Sequence, residues 1–145
     1  MDVIKENKMK NIDEYLYKYG LHDCVVERIY VQNNSLVFYF GTGVYNLNEK
    51  GKETTKTTSC LMFLEIEDLK IEQMWEHIEI SKINKNRISE IDYEEFIGEV
   101  EKFKFEIMEN YLSYFGNSIL LEGYTSKNRY QIKVSEISKI EFNFK

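Results

Sequence analysis

The 145-residue chain contains no proline and no alanine, and only three arginines, Arg28, Arg87 and Arg129. Without alanine, the strongest helix former, long helices lose their usual support. Ile, Lys, Asn, Tyr and Phe are abundant instead, the bias of an AT-rich coding sequence, and the missing prolines follow from that bias more than from any demand of the backbone. No apolar run approaches the ~18 residues of a membrane span. The opening Met1-Asp2-Val3-Ile4-Lys5-Glu6-Asn7-Lys8 has no hydrophobic signal core, so the expectation is a cytoplasmic chain with no membrane partner. Two cysteines, Cys24 and Cys60, and two histidines, His22 and His77, stand too far apart for a zinc pattern. The cysteines read as reduced, buried, small apolar side chains. Gly41-Thr42-Gly43 lacks the third glycine and the Lys-Ser/Thr pair of a phosphate loop, and no serine occupies a nucleophile elbow. The expectation is therefore no catalytic residue, no metal ligand and no cofactor.

What the chain does have is core material. Hydrophobic residues make up 43% and aromatics 14%, with 11 Tyr and 9 Phe, which excludes disorder. A single domain spanning residues 1–145 can bury ~70% of its unfolded surface.

Asn11 and Glu14 form a capping-box pair, and Ile12, Tyr15, Leu16 and Tyr19 share a helical face that Gly20 ends. Period-two alternation then takes over. Val25, Ile29 and Val31 fall on one strand face, opposite Val26, Arg28 and Tyr30, and Gln32-Asn33-Asn34 is a hairpin turn leading to Leu36, Phe38 and Phe40. Gly41 and Gly43 predict a bulge or bend. Asn48 to Thr58 reads as a mobile polar loop. Cys60–Ile66 and Leu69–Ile80 read as strands, and Ser81 to Ser89 as a polar connector. Asp92, with Glu95, starts a short helix through Tyr93, Phe96, Ile97 and Val100. Phe103, Phe105 and Ile107 begin a strand that ends near Tyr114, followed by strands at Ile119–Tyr124, from Tyr130 to Val134, and from Ile140 to Phe144. The predicted class is α+β, mostly β. About eight antiparallel strands form a strongly bent sheet, a partly closed barrel or two layers, with one or two short helices.

Charge is uneven. Residues 65 to 109 carry fourteen acidic against six basic side chains, while residues 1 to 64 balance. Such a surface repels nucleic acid and attracts basic partners. The densest part holds Glu90, Asp92, Glu94, Glu95, Glu99 and Glu101, with Tyr93 and Phe96 as aromatic anchors among them. These eight residues form the candidate partner-binding site. A solvated face that keeps the chain soluble uses the same residues.

Leu21-His22-Asp23-Cys24 holds one of the two histidines beside a carboxylate. Adjacent strand positions point to opposite faces, so His22 and Asp23 read as poor mutual partners that bond backbone groups between helix and strand, with Leu21 in the core. The metal-hydrolase dyad that His-Asp brings to mind needs further His and Asp ligands, and only His77 remains. Trp75 and His77, with the Tyr and Phe stripes, line either a ligand cavity or a packed core.

Asn11-Ile12-Asp13-Glu14-Tyr15-Leu16, Leu21-His22-Asp23-Cys24, Leu36-Val37-Phe38-Tyr39-Phe40 and Gly43-Val44-Tyr45 together resemble a group of small bacterial proteins. In that group a Leu-His-Asp-Ser word opens the first strand of a β-rich domain. The resemblance covers about the first 45 residues, and Cys24 stands where the group has serine, removing a hydroxyl there. Families of this kind accompany polymorphic toxins and contact-dependent inhibition systems as immunity proteins. The resemblance implies binding rather than catalysis: a basic protein partner, the cognate toxin domain, is neutralised by direct contact. The other readings are a small-molecule-binding β-barrel or an enzyme with an aromatic-lined cavity, and a structural subunit of a larger complex.

Overall fold

A computed structural model describes residues 18–66, 74–113 and 117–145, with only the backbone of residues 74 and 75. The predicted helix face at Ile12, Tyr15 and Leu16, the Glu67-Asp68 junction and Tyr114 lie outside the described residues.

The chain forms β1 (Tyr19–Gly20), β2 (Val25–Val26), β3 (Arg28–Gln32), β4 (Ser35–Phe40), β5 (Tyr45–Leu47), β6 (Glu53–Lys56) and β7 (Cys60–Ile66). A one-turn helix α1 (Met74–His77) precedes β8 (Ile78–Asn84) and β9 (Arg87–Glu90). Helix α2 (Tyr93–Phe103) leads into β10 (Phe105–Leu112), β11 (Ile119–Tyr124), β12 (Arg129–Val134) and β13 (Ile137–Phe144). The chain is mostly β, and among the described residues every strand pairing is antiparallel. No described helix is long and apolar enough to cross a membrane.

The described strands form three sheets, in the orders β1-β5-β6, β2-β10-β11-β12-β8-β9 and β13-β7-β4-β3. Each ends on edge strands, so the described strands close no barrel. Inward residues of the two larger sheets join one core cluster: Phe38, Phe40, Met62 and Leu64 from one, Ile107, Leu121, Ile132 and Val134 from the other. The alternation in β7 shows why: Cys60, Met62, Leu64 and Ile66 are buried while Leu61, Phe63 and Glu65 are only partly so.

Between β2 and β3 the alternation expected of a single strand breaks at Glu27. Val26 and Ile29 are both core residues although three positions apart. The chain changes sheets there: β2 pairs with β10, and β3 with β4. The Glu27 N–H donates to the Tyr39 carbonyl at 2.9 Å.

The 48–58 segment is a hairpin rather than an open loop. The Asn48 side-chain carbonyl accepts from the Lys50 and Lys52 N–H groups, and β6 returns along β5. Gly43 makes the expected bend before it, with φ +80°. A Cβ there would sit 2.4 Å from the Thr57 carbonyl oxygen, so only glycine fits.

The predicted 69–80 strand starts only at Ile78. Residues 69 to 73 are not described, and Met74–His77 turn as α1, since Met and Glu favour helix and four residues of alternation cannot separate the two periods. The polar connector 81–89 is the β8–β9 hairpin, closed by Lys85 (φ 47°) and Asn86. The end strands β6 and β9 escape a pattern search because neither has a buried face.

Helix α2 forms where expected but runs on to Phe103, seven residues after Phe96 and three after Val100, both core residues. Asp92 is the N-cap residue, yet its side chain makes no capping hydrogen bond. Asp92, Glu94 and Glu95 still complement the positive end of the helix dipole. Lys104 ends the helix at φ 61°, its N–H bonded to the Val100 carbonyl, and the strand takes over at Phe105.

Candidate functional site

Helix α2 reaches β3 on one sheet and β8 on the other. Phe96 and Val100 anchor it. Phe96 stacks edge-on against Phe105 (centroids 5.5 Å apart) and Tyr130 (4.9 Å) and is 1% exposed. Phe96 therefore belongs to the core and cannot serve as a partner anchor, a correction that follows from its place on the inner stripe of the helix. Tyr93 is half-buried, and burial pushes its phenol up to about 12.

The carboxylates divide. Glu90, Asp92, Glu94, Glu95 and Glu101 are exposed. Glu99 is turned inward: its Oε1 accepts hydrogen bonds from the Asn128 amide (2.9 Å) and the Thr125 hydroxyl (3.2 Å). Asn128 also donates to the Tyr130 hydroxyl at 3.3 Å. Glu99 thus ties α2 to the β11–β12 turn and is a structural residue.

Two open grooves flank the end of the helix. One, of about 330 Å³, runs between Glu94, Glu95, Gly98 and Lys102 of α2 and Lys82 of β8. The other, of about 270 Å³, is lined by Val25, Lys104, Glu106 and Tyr124. Phe103 borders both and is 39% exposed, with the Lys127 ammonium 5.5 Å from its ring centre. The Tyr124 hydroxyl donates to the Glu106 carboxylate, which raises the Tyr124 pKa. Lys104 is paired with Glu27 at 3.1 Å. Phe103 and its two grooves were missed because an alternating reading placed Phe103 in the following strand; the Phe96–Val100–Phe103 spacing was the available signal.

Leu21-His22-Asp23-Cys24 is a turn, not a strand start. Leu21 fills the core as expected. The Cys24 N–H returns to the Leu21 carbonyl, and Asp23 adopts φ 63° while its N–H bonds the Ile107 carbonyl at 2.8 Å. In that geometry neighbouring side chains can meet. His22 Nδ1 lies 3.1 Å from Asp23 Oδ2 and 3.8 Å from Glu53, with all three side chains well exposed. The side chains expected to satisfy buried backbone groups face solvent instead, and the main chain does that work. His77 lies elsewhere, its carbonyl accepting from the Ser135 N–H. Among the described residues no group of three His, Cys, Asp or Glu side chains is placed to hold a metal.

Both thiols are buried. Burial pushes Cys60 up to about 11, and burial raises Cys24 as well although the Lys56 ammonium, 3.9 Å from its sulfur, pulls the other way. At pH 7.5 both are protonated and inaccessible. An aromatic disulfide reagent should label neither cysteine in the native protein and both in ~8 M urea. Rapid native labelling of either would contradict this packing.

Compared with known proteins, the chain matches no family model, no curated protein and no solved structure.

Proposed function

We propose that this protein is an immunity-type binding protein that neutralises a basic toxin domain by covering it. One observation carries the reading: five exposed carboxylates, Glu90, Asp92, Glu94, Glu95 and Glu101, follow one another from β9 along α2 to the half-exposed Phe103 and its two grooves. Desolvating a large ring between grooves supplies binding energy at the centre of an interface, and carboxylates around it supply steering. The acidic excess of residues 65 to 109 and the likeness in the first 45 residues support the same reading.

The neighbouring gene is the reagent. Its product alone should arrest growth, and co-expression of this chain should restore it. A neighbour that is harmless, or that kills regardless of this chain, overturns the proposal. Reversing Glu94, Glu95 and Glu101 to lysine should slow association ~10-fold or more and flatten its salt dependence. Folding should survive, because exposed charges contribute little to stability. Unchanged association kinetics would leave this stretch as a solvated face.

A further inference from the structure

Strand β9 ends the six-stranded sheet, and all four of its residues are exposed, Ile88 by 70%. Its hydrogen-bond phase follows from the register. The Ile91 N–H donates to the Ile80 carbonyl at 3.1 Å, and hydrogen-bonded pairs alternate along an antiparallel ladder. Lys82 and Ser89, and then Asn84 and Arg87, are therefore the pairs that exchange bonds with β8. Ile83 and Ile88, and Ser81 and Glu90, are the pairs that do not. The N–H and C=O groups of Ile88 and Glu90 consequently point off the sheet edge.

The edge also has an electrical direction. Lys85 and Arg87 are exposed at its turn end, and Glu90 and Asp92 at its helix end. A uniformly basic strand would meet attraction at one end and repulsion at the other. A second copy running antiparallel sets each positive end against the other's negative end.

We infer that β9 is a self-pairing edge: two copies join antiparallel about a two-fold axis at Ser89. Ile88 of each copy exchanges both backbone hydrogen bonds with Glu90 of the other, four bonds in all. In this register the two Ile88 side chains become diagonal neighbours on the outer face, within reach of one another. The resulting sheet runs continuously through both molecules. Four-residue edges bury far less than the ~1,200 Å² of a stable interface, so the dimer is weak and forms at high concentration. The net charge of −6 opposes approach at low salt, so the test is made at ~0.15 M.

Sedimentation equilibrium of the whole chain should show the average mass rising from 17.4 kDa toward twice that between ~10 µM and ~1 mM. Ile88→Pro deletes an outward N–H without touching the β8 ladder, a position where an edge strand tolerates proline. This variant should stay monomeric with an unchanged circular dichroism spectrum. A second pair of variants keeps the test independent of proline. Lys85→Glu with Arg87→Glu makes both ends negative, and Glu90→Lys with Asp92→Lys makes both ends positive. Each alone should dimerise ~10-fold more weakly than wild type, and their mixture should recover association. A wild-type mass fixed at 17.4 kDa up to ~1 mM overturns the inference. So does a dimer that Ile88→Pro leaves intact, or a mixture no better than its components.

Discussion

Phe96→Ala should cost ~3–5 kcal/mol, the range for emptying a buried aromatic site. The ring is 1% exposed and meets Phe105 and Tyr130 edge-on, joining α2 to β10 and β12. Such contacts add ~0.5–1.5 kcal/mol per pair beyond area burial. Against a total stability of ~5–15 kcal/mol, the loss is a large fraction. Urea unfolding should show a lower midpoint with an unchanged slope. A cost below ~1 kcal/mol would mean that the helix is held by something other than this ring cluster.

Gly123→Val should be the other severe substitution. Gly123 pairs with Ile107 on one side and Tyr130 on the other, in the middle of the six-stranded sheet. A Cβ there would lie 2.2 Å from the Glu106 carbonyl oxygen and 2.6 Å from Cζ of Phe105. The first obstacle is main chain, so relief requires β10 and β11 to part. Ordinary overpacking costs ~1–3 kcal/mol, and a backbone obstacle places this site at the upper end. For a chain of this size that lowers Tm by about 5–10 °C. A variant that melts with wild type would show that the two strands separate at little cost.

Strands with one buried face were readable in the sequence. Cys60–Ile66 and Ile119–Tyr124 match their predicted limits because a packed face writes a period of two into the residues. The Asn33-Asn34 turn was equally plain, since Asn33 must adopt φ 56° and asparagine tolerates it. Strands β6 and β9 left no such record, because hydrogen bonding to a neighbour alone places no demand on side-chain polarity. The acidic stretch was legible as charge, but its division was not. Glu99 and Glu95 look alike in sequence, and only the approach of Thr125 and Asn128 separates a tie from a solvent-facing carboxylate. Phe96 lies with Val100 on the inner stripe of the helix, and the extra turn that extends the helix to Phe103 carries that second ring to the rim.

Glu27 alone separates β2, of the six-stranded sheet, from β3, of the four-stranded one. A joint that short has no slack. Tension on β3 passes through two peptide units to β2 and on to β10, and the Glu27–Lys104 pair fastens the same joint to the end of α2. Neither sheet can peel away as a separate leaf without dragging the other. The fold is therefore built to open as one cooperative unit rather than layer by layer.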